Sequence, residues 1–267
     1  MTVLCFALAI SPAVRGAEAP LRIERVAAGQ ECRIVAVNKS AAPMTVVVKV
    51  GRAGETLTEV VAAGASRELT RNFARTEPCK VDITHSAGIG DAFATPDKGY
   101  PYRLPFAKGV RVRVTQIPGV PGGTHQDALT RYAVDFGVPV GTPVLAAREG
   151  TVIEVRDGFT VGRPDPAFAE KVNFISILHD DGTFAQYAHL AVQGIWVRPG
   201  ERIEAGQVIG RSGKTGYTGG PHLHFDLRRT RIKPGGEVVQ ESIPITFYRR
   251  RAGEKITFKP RMRLTVD

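Results

Sequence analysis

The sequence predicts a mainly β protein in which a small N-terminal β-sandwich-like domain precedes a longer β-rich domain. Residues 21–86 contain short runs of β-branched and apolar residues separated by glycine and serine turns, a spacing typical of a small sandwich. Glycine and proline then interrupt the chain repeatedly across residues 87–105. In residues 106–248 helical periodicity is weak, and glycine and proline break the short stretches that could be helical. The chain is therefore expected to hold two β-rich parts joined by a linker.

The N-terminal β domain is predicted to span residues 20–86 and carries no recognisable set of catalytic side chains. His85 is a lone histidine at a strand end, expected to be structural or solvated. Cys32 and Cys79 form an even pair once Cys5 leaves with a leader, so a bridge between two strands or two buried thiols would both fit. The candidate strands lie at residues 32–37, 44–50, 59–61, 66–69 and 79–84.

Residues 1–19 are predicted to be an export signal peptide. Residues 3–10 form a short apolar run, and Ala17-Glu18-Ala19 fits the small-x-small pattern of a cleavage site. The run is too short to span a bilayer, and no Lys or Arg precedes it, which departs from the usual pattern. We find no later segment long and apolar enough for a membrane helix. The mature chain is therefore expected to lack a transmembrane segment and to act in the periplasm, the cell envelope or the extracellular space.

The chain is basic. Its 267 residues carry a formal net charge of +10, and 43% of them are hydrophobic, enough to bury a core. Such a charge is compatible with nucleic acid, an anionic membrane surface or an anionic cell wall, and charge alone does not separate them. The basic extension at residues 249–267 would be either a solvated surface or an electrostatic contact with an anionic cell-wall polymer, and no nucleic acid partner is expected. Its cations include Arg249, Arg250, Arg251, Lys255, Lys259, Arg261 and Arg263.

Two closely spaced histidines are the strongest chemical signal in the chain. His222 and His224 follow a glycine-rich turn and alternate with apolar residues. In a β-strand, side chains at i and i+2 share one face, so both imidazoles are expected to project together. Two imidazoles directed at one point suit a metal ligand next to a proton-transfer group.

Further candidate residues lie upstream in the same domain. Asp135 stands in an apolar strand-like run, where a carboxylate is costly unless it is paired or bound to a metal. His125 lies in a loop-like context, with Asp127 as an alternative acid that could simply be solvated. His189 lies in a strand-like run of mixed polarity. His179 precedes the turn Asp180-Asp181-Gly182 and is expected to flank that turn instead of binding metal.

These residue types match the requirements of a hydrolytic zinc site. Zinc in such sites takes three protein ligands from His, Asp and Glu and keeps a fourth position for water. His125, Asp135 and one member of the His222/His224 pair supply that set. Bound zinc lowers the pKa of water to roughly 7 and polarises a carbonyl. His189 and the other member of the pair would then act on the proton and on the oxyanion.

Residues 102–247 resemble the lysostaphin-type (LytM-like) zinc endopeptidases, which cut bacterial peptidoglycan peptides. Several separate motifs occur in the family's order, which is far more specific than any one of them. In many relatives the first ligand histidine precedes the aspartate by four residues, whereas His125 and Asp135 are ten apart. The matching stretches are residues 132–136, 141–152, 187–190, 206–210, 212–216 and 219–225.

The resemblance implies a β-rich LytM-like peptidase domain at residues 106–248 and a role for each site residue. His125, Asp135 and His224 would bind Zn²⁺, while His189 and His222 would be the catalytic histidines. The expected function is that of an exported zinc metalloendopeptidase, which attacks peptide bonds of peptidoglycan with zinc-activated water. The alternative is a non-catalytic LytM-like regulator or cell-wall-binding module on the same scaffold.

Overall fold

A computed structural model describes residues 19–28, 31–51, 55–71, 81–249 and 253–267. The predicted signal peptide, apart from its last residue, and Cys79 lie outside these described residues. Cys32 is fully buried and disulfide-bonded. Among the described residues no helix reaches the length and hydropathy of a membrane span.

The N-terminal part is a pair of three-stranded sheets. One sheet has the order β1-β2-β5 and the other β4-β3-β6, and all pairings are antiparallel. Apolar side chains from both sheets form one shared core, so the sandwich-like prediction is confirmed. The strands are β1 (Leu21–Ala28), β2 (Glu31–Asn38), β3 (Met44–Val50), β4 (Glu55–Val61), β5 (Ser66–Arg71) and β6 (Ile83–Ile89).

The remainder of the chain is also built of strands, as predicted, and its only helical element among the described residues is a 3-10 turn at Pro166–Phe168. The strands are β7 (Arg111–Gln116), β8 (Val134–Gly137), β9 (Pro143–Leu145), β10 (Gly150–Arg156), β11 (Gly162–Arg163), β12 (Phe174–Leu178), β13 (Phe184–Ala188), β14 (Leu190–Ile195), β15 (Arg202–Ile203), β16 (Val208–Ser212), β17 (Gly216–Tyr217), β18 (Leu223–Ile232), β19 (Val238–Ile243), β20 (Phe247–Tyr248), β21 (Lys255–Ile256) and β22 (Arg263–Thr265).

A nine-stranded sheet organises this second part. Its strand order is β15-β10-β12-β13-β18-β8-β7-β22, and β19 also pairs with β18. The long strand β18 is central: β13 lies on one side, while β8 and β19 follow each other along the other side. Smaller sheets, β14-β16-β9, β11-β17 and β20-β21, complete the domain.

Alternation along the central strands sends one set of side chains to the core and the other to the outer face. Leu223, Phe225 and Leu227 of β18 join the main hydrophobic cluster, together with Val134 and Phe136 of β8. The residues between them therefore point away from the core. This alternation leaves polar side chains side by side on the outer face of the large sheet.

The N-terminal part packs against one end of this same outer face. Phe184 of β13 contacts Ala42 and Ile153 in a small apolar cluster, and Thr230 of β18 donates a hydrogen bond to the carbonyl of Ile89. Thr230 lies six residues beyond His224, about 20 Å along an extended strand. The outer face near His224 is therefore free of this contact.

Residues on either side of the predicted peptidase segment pair with its strands. Tyr102 forms a bridge with Phe247, and β22 pairs with β7 as the edge strand of the nine-stranded sheet. Residues 263–265 thus extend the large sheet. The division into a linker at 87–105 and an extension at 249–267 as separate units stays a prediction.

Candidate metal centre

Strand pairing brings Asp135 and His224 directly opposite each other. Asp135 of β8 is in register with His224 of β18, and each lies between neighbours that point into the core. Both side chains consequently face the outer side of the sheet, where they are 8% and 7% exposed. A buried carboxylate at this position is stabilised by the imidazole across the ladder.

The connection between β7 and β8, residues 117–133, returns His125 to the same point. Asp127 accepts hydrogen bonds from the backbone N–H groups of Leu129 and Thr130 and closes a turn inside this loop. Asp127 is thus a turn-capping residue, and it does not belong to the metal cluster formed by described residues. The turn shortens the path between His125 and Asp135, which compensates for the long spacing in the sequence.

A β-bulge in β7 fixes the start of this loop. The register between β7 and β8 shifts after Val114, so that Gln116 stands opposite Asp135. The side-chain oxygen of Gln116 accepts a hydrogen bond from the Thr124 N–H at 3.1 Å, and its amide nitrogen donates to Thr124 Oγ1 at 3.2 Å. Gln116 therefore holds the residue immediately before His125.

The three side chains converge with the spacing of metal ligands. His125 Nε2 lies 3.4 Å from Asp135 Oδ1, and His224 Nδ1 lies 3.0 Å from the same oxygen. One ligand atom from each residue lies within 4.8 Å of the others. Tetrahedral zinc with bonds of about 2.0–2.1 Å places neighbouring ligand atoms about 3.3 Å apart. A two-imidazole, one-carboxylate donor set with this spacing fits a zinc ion.

His189 and His222 stand beside this cluster. The ring centroids of His189 and His222 are 4.5 Å apart, and His222 Nε2 lies 3.6 Å from Asp135 Oδ2. His222 was expected within the strand; it lies just before β18, where it forms a bridge with Gly213. All five histidine and aspartate side chains singled out from the sequence thus meet in one place.

Residues 130–238 match the model of peptidase family M23, a span that begins after His125 and contains the other four site residues. This chain carries a peptidase family M23 domain. Relatives that align with the domain include the glycyl-glycine endopeptidase ALE-1 of Staphylococcus capitis, with 41% identity over 108 residues, 40% of this chain and 25% of the relative. Lysostaphin of Staphylococcus staphylolyticus is 38% identical over 108 residues, 40% of this chain and 19% of that protein. The peptidoglycan DD-endopeptidase ShyA of Vibrio cholerae is 37% identical over 93 residues, 35% of this chain and 19% of that protein. The chain thus spans no more than a quarter of the length of these three relatives.

Backbone carbonyls orient both flanking histidines of the M23 domain. His189 Nδ1 lies 2.6 Å from the Thr215 carbonyl oxygen, and His222 Nδ1 lies 2.9 Å from that of Gly220. A carbonyl only accepts, so Nδ1–H must donate, and the neutral tautomer leaves Nε2 with a free lone pair. Each imidazole therefore presents its basic nitrogen to the space beside Asp135.

His189 reaches this position through an unusual backbone. Its φ angle is 62°, in the left-handed region, and it lies between β13 and β14 instead of within a strand. Such angles are uncommon for residues other than glycine and are found preferentially at functional sites. In a continuous strand this side chain would alternate to the other face of the sheet. The turn instead directs the imidazole toward His222.

Burial and charge set the protonation of the cluster. Burial is the largest influence on Asp135 and would raise its pKa, but hydrogen bonds from His125 and His224 hold that pKa far below its ordinary value. Burial, reinforced by His222, lowers the pKa of His189 to about 3. Burial also lowers the pKa of His222, although the nearby carboxylate of Asp135 opposes this. The M23 domain therefore holds an ionised Asp135 next to two neutral imidazoles at pH 7.

A second carboxylate supports His224 from behind. Asp226 is fully buried and accepts a hydrogen bond from His224 Nε2 at 2.9 Å. Arg228 donates to the same carboxylate from Nε at 2.6 Å and from Nη2 at 2.9 Å, and it also donates to Gln186. Burial opposes the charge on His224, but the bonds to Asp135 and Asp226 raise its pKa to about 9. A carboxylate behind a ligating histidine is the usual way to fix its tautomer and orientation.

The sequence interpretation overlooked Asp226, Arg228 and Gln116. The only local signal for Asp226 is a carboxylate two residues after His224, on the same strand face and in an otherwise apolar run. Gln116 has no signal within its own strand, because its function depends on the bulge and on Thr124. His179, expected not to be a ligand, is buried beside Tyr102 with Nδ1 bonded to the Glu149 carbonyl.

Proposed function

We propose that this chain is an exported zinc metalloendopeptidase that hydrolyses peptide bonds in bacterial peptidoglycan. The observation that carries the proposal is the convergence of His125, Asp135 and His224 beside two neutral imidazoles. Membership of the M23 domain supports peptide hydrolysis, and the names of the relatives support peptidoglycan as the substrate.

His125 Nε2, an Asp135 oxygen and His224 Nδ1 would hold the zinc ion, with Asp226 behind His224. Zinc supplies Lewis-acid chemistry: it polarises a carbonyl and lowers the pKa of water to about 7. Asp135 remains ionised because two imidazoles donate to it, so it can act as a ligand at neutral pH.

His222 is proposed as the general base. Its Nε2 carries the free lone pair and lies 3.6 Å from Asp135 Oδ2, so the basic nitrogen faces the ligand cluster. The proton taken from that water would move to His222 Nε2 and then to the departing amine, which leaves as a neutral group. The nearby Asp135 carboxylate stabilises the imidazolium formed in between.

His189 is proposed to stabilise the developing oxyanion. Its Nδ1–H is committed to the Thr215 carbonyl, so Nε2 is the atom that faces the substrate. Nε2 can donate to an oxyanion only when it is protonated, so this role requires His189 to take up a proton as negative charge develops on the substrate, against the burial that lowers its pKa. The two roles could be exchanged, since both histidines present the same nitrogen.

Residues 20–86 are proposed to form an accessory domain beside the peptidase domain at 106–248. The buried, disulfide-bonded Cys32 supports an oxidising compartment such as the periplasm or the cell exterior. The relatives' peptidoglycan activity supports the same location.

The test is mass spectrometry of muropeptides released from purified peptidoglycan, with and without a chelator, for three variants. His224→Ala is expected to lose both stoichiometric zinc and cleavage. His222→Gln is expected to keep zinc and lose about 10²–10⁴-fold in cleavage rate, the usual contribution of a general base. His85→Gln, on the exposed side of β6, serves as the control and should match the wild type.

Two outcomes would contradict the proposal. Wild-type cleavage by His222→Gln would remove His222 from the mechanism. Zinc-loaded wild-type protein that releases no muropeptide would favour the non-catalytic regulator or wall-binding module.

A further inference from the structure

Three arginines form an exposed cationic surface beside the metal centre. Arg111 and Arg113 of β7 alternate with Val112 and Val114, which are buried in the core. Arg263 of the edge strand β22 is also exposed. We call Arg111, Arg113 and Arg263 the arginine face, since all three point to the outer side of the large sheet.

The arginine face lacks the counter-charges found elsewhere on the sheet. Arg113 and Arg263 are direct cross-strand partners, an arrangement in which like charges repel. Among the residues that the structure describes, none of the three forms an ion pair with an acidic side chain. The arginines of β18, by contrast, are all paired: Arg228 with Asp226, and Arg229 and Arg231 with Glu241.

The surface is continuous with the metal centre. Asp135 and Gly137 are two residues apart on the outer side of β8, and Gly137 is the register partner of Arg113. Two residues along a strand and one strand across place the Arg113 backbone about 8 Å from that of Asp135, and Arg263 about 12 Å away. A Cβ on Gly137 would lie 2.8 Å from Thr115 Cγ2. A larger residue at position 137, between the two sites, would therefore displace Thr115.

We propose that the arginine face binds carboxylates of the substrate's stem peptide while the scissile bond lies at the metal centre. This inference rests on the proposed peptidoglycan endopeptidase function. Stem peptides carry free carboxylates on their acidic residues and at their ends, and the planar guanidinium fork matches a carboxylate in bidentate geometry. An extended peptide advances about 3.3 Å per residue, so a carboxylate two to four residues from the scissile bond reaches Arg113 or Arg263.

The short distance from the metal centre favours a substrate carboxylate over a separate wall polymer. A polyanion bound for anchorage could use cations anywhere on the surface, and needs no connection with the site. Here the unpaired cations lie next to the strand that carries Asp135, and only Gly137 and Thr115 lie between them and the site. The surface is therefore assigned to substrate selection.

The test uses one labelled cross-linked stem peptide in two forms, with free carboxylates or with the same groups converted to carboxamides. Binding to the metal-free protein is measured by fluorescence anisotropy in chelator, and kcat and KM are measured with zinc. The wild type is expected to bind the acid form about 10-fold more tightly than the amide form. The Arg113→Gln/Arg263→Gln double variant should bind both forms equally, with KM for the acid form raised about 10-fold and kcat within about twofold.

A matched control removes two positive charges elsewhere. Lys98 and Arg198 are both exposed, and Arg198 precedes β15 at the opposite edge of the sheet from β22. Lys98→Gln/Arg198→Gln should keep the wild-type preference for the acid form. If this control loses the preference to the same extent, net charge alone explains the effect and the proposal is overturned.

Other results distinguish a failure of the arginine-face proposal from a failure of the proposed endopeptidase function. Equal binding of both peptide forms by the wild type would overturn the proposal, even if both are cleaved. Preferential binding of the acid form without any cleavage would overturn the endopeptidase function while supporting the arginine face. If the arginine double variant loses binding to soluble poly(glycerol phosphate) but keeps its peptide preference, the surface serves a wall polymer and the proposal is wrong.

Discussion

Replacing Asp226 by Asn tests whether the Asp226 carboxylate positions His224 as a metal ligand. Asp226 is fully buried and accepts hydrogen bonds from His224 Nε2 and from Nε and Nη2 of Arg228. Asparagine keeps the shape but has one acceptor oxygen, so its amide N–H₂ group must face either His224 or Arg228. In either orientation His224 loses the negatively charged acceptor behind it, so the contact that fixes Nδ1 toward the metal is weakened or lost.

The expected magnitude follows from these contacts. Loss of the carboxylate behind a ligating histidine typically weakens metal affinity 10–100-fold, which is about 1.4–2.8 kcal/mol. Each charge-assisted hydrogen bond lost from a buried group costs about 1.5–3 kcal/mol of folding stability. Asp226→Asn should therefore weaken zinc binding by one to two orders of magnitude and lower the unfolding free energy of the metal-free protein.

The two effects are measured separately. Zinc affinity is obtained by competition with a chromophoric chelator at pH 7.5, and stability by urea unfolding of the metal-free protein. Glu241→Gln is the matched control, because Glu241 pairs with Arg229 and Arg231 on the same sheet but does not contact His224. Its zinc affinity should stay within about twofold of the wild type. If Asp226→Asn is less stable yet binds zinc as tightly as the wild type, Asp226 is structural only and the positioning argument is wrong.

Two further predictions concern the loop and a buried histidine. Gln116→Ala removes the hydrogen bonds to Thr124, so His125 should be less well held and zinc affinity should fall about 5–10-fold, as measured by the same competition; unchanged affinity would show that the loop needs no such support. Burial lowers the pKa of His179 to about 4 from its ordinary 6.5, so the unfolded chain binds a proton that the folded chain excludes. Stability should therefore be fully present above about pH 6.5 and fall by up to about 3 kcal/mol as the pH drops to about 4. In urea unfolding at several pH values, His179→Gln should remove this part of the pH dependence and the exposed His85→Gln should not; equal slopes in all three proteins would refute the assignment.

Much of the site could be predicted because its residues are chemically conspicuous. Asp135 stood out as a carboxylate in an apolar run, and His222 and His224 as closely spaced imidazoles on a β pattern. Strand periodicity placed His224 on the face opposite to its apolar neighbours, and the structure places Asp135 in register with it. The mainly β class followed from the same local patterns, which need no knowledge of distant contacts.

Other features depend on contacts between distant parts of the chain. His125 and Asp135 are ten positions apart in the sequence, and only the Asp127 turn and the bulge at Gln116 explain how the loop brings them together. His189 was expected in a strand, whereas its position depends on a backbone angle of 62° held by surrounding contacts. No local pattern predicts either feature, because the bulge depends on the pairing of β7 with β8 and the orientation of His189 depends on Thr215.

The sequence by itself determined which side chains alternate to which face, and hence the class of fold and the set of candidate ligands. The tertiary structure decided which of those side chains are neighbours. Arg113 and Arg263 are 150 positions apart in the numbering, yet the ladder between β7 and β22 places them opposite each other next to the strand of Asp135. Periodicity along one strand specifies a face, but cross-strand register specifies a neighbour, and register is set by the packing of the whole sheet.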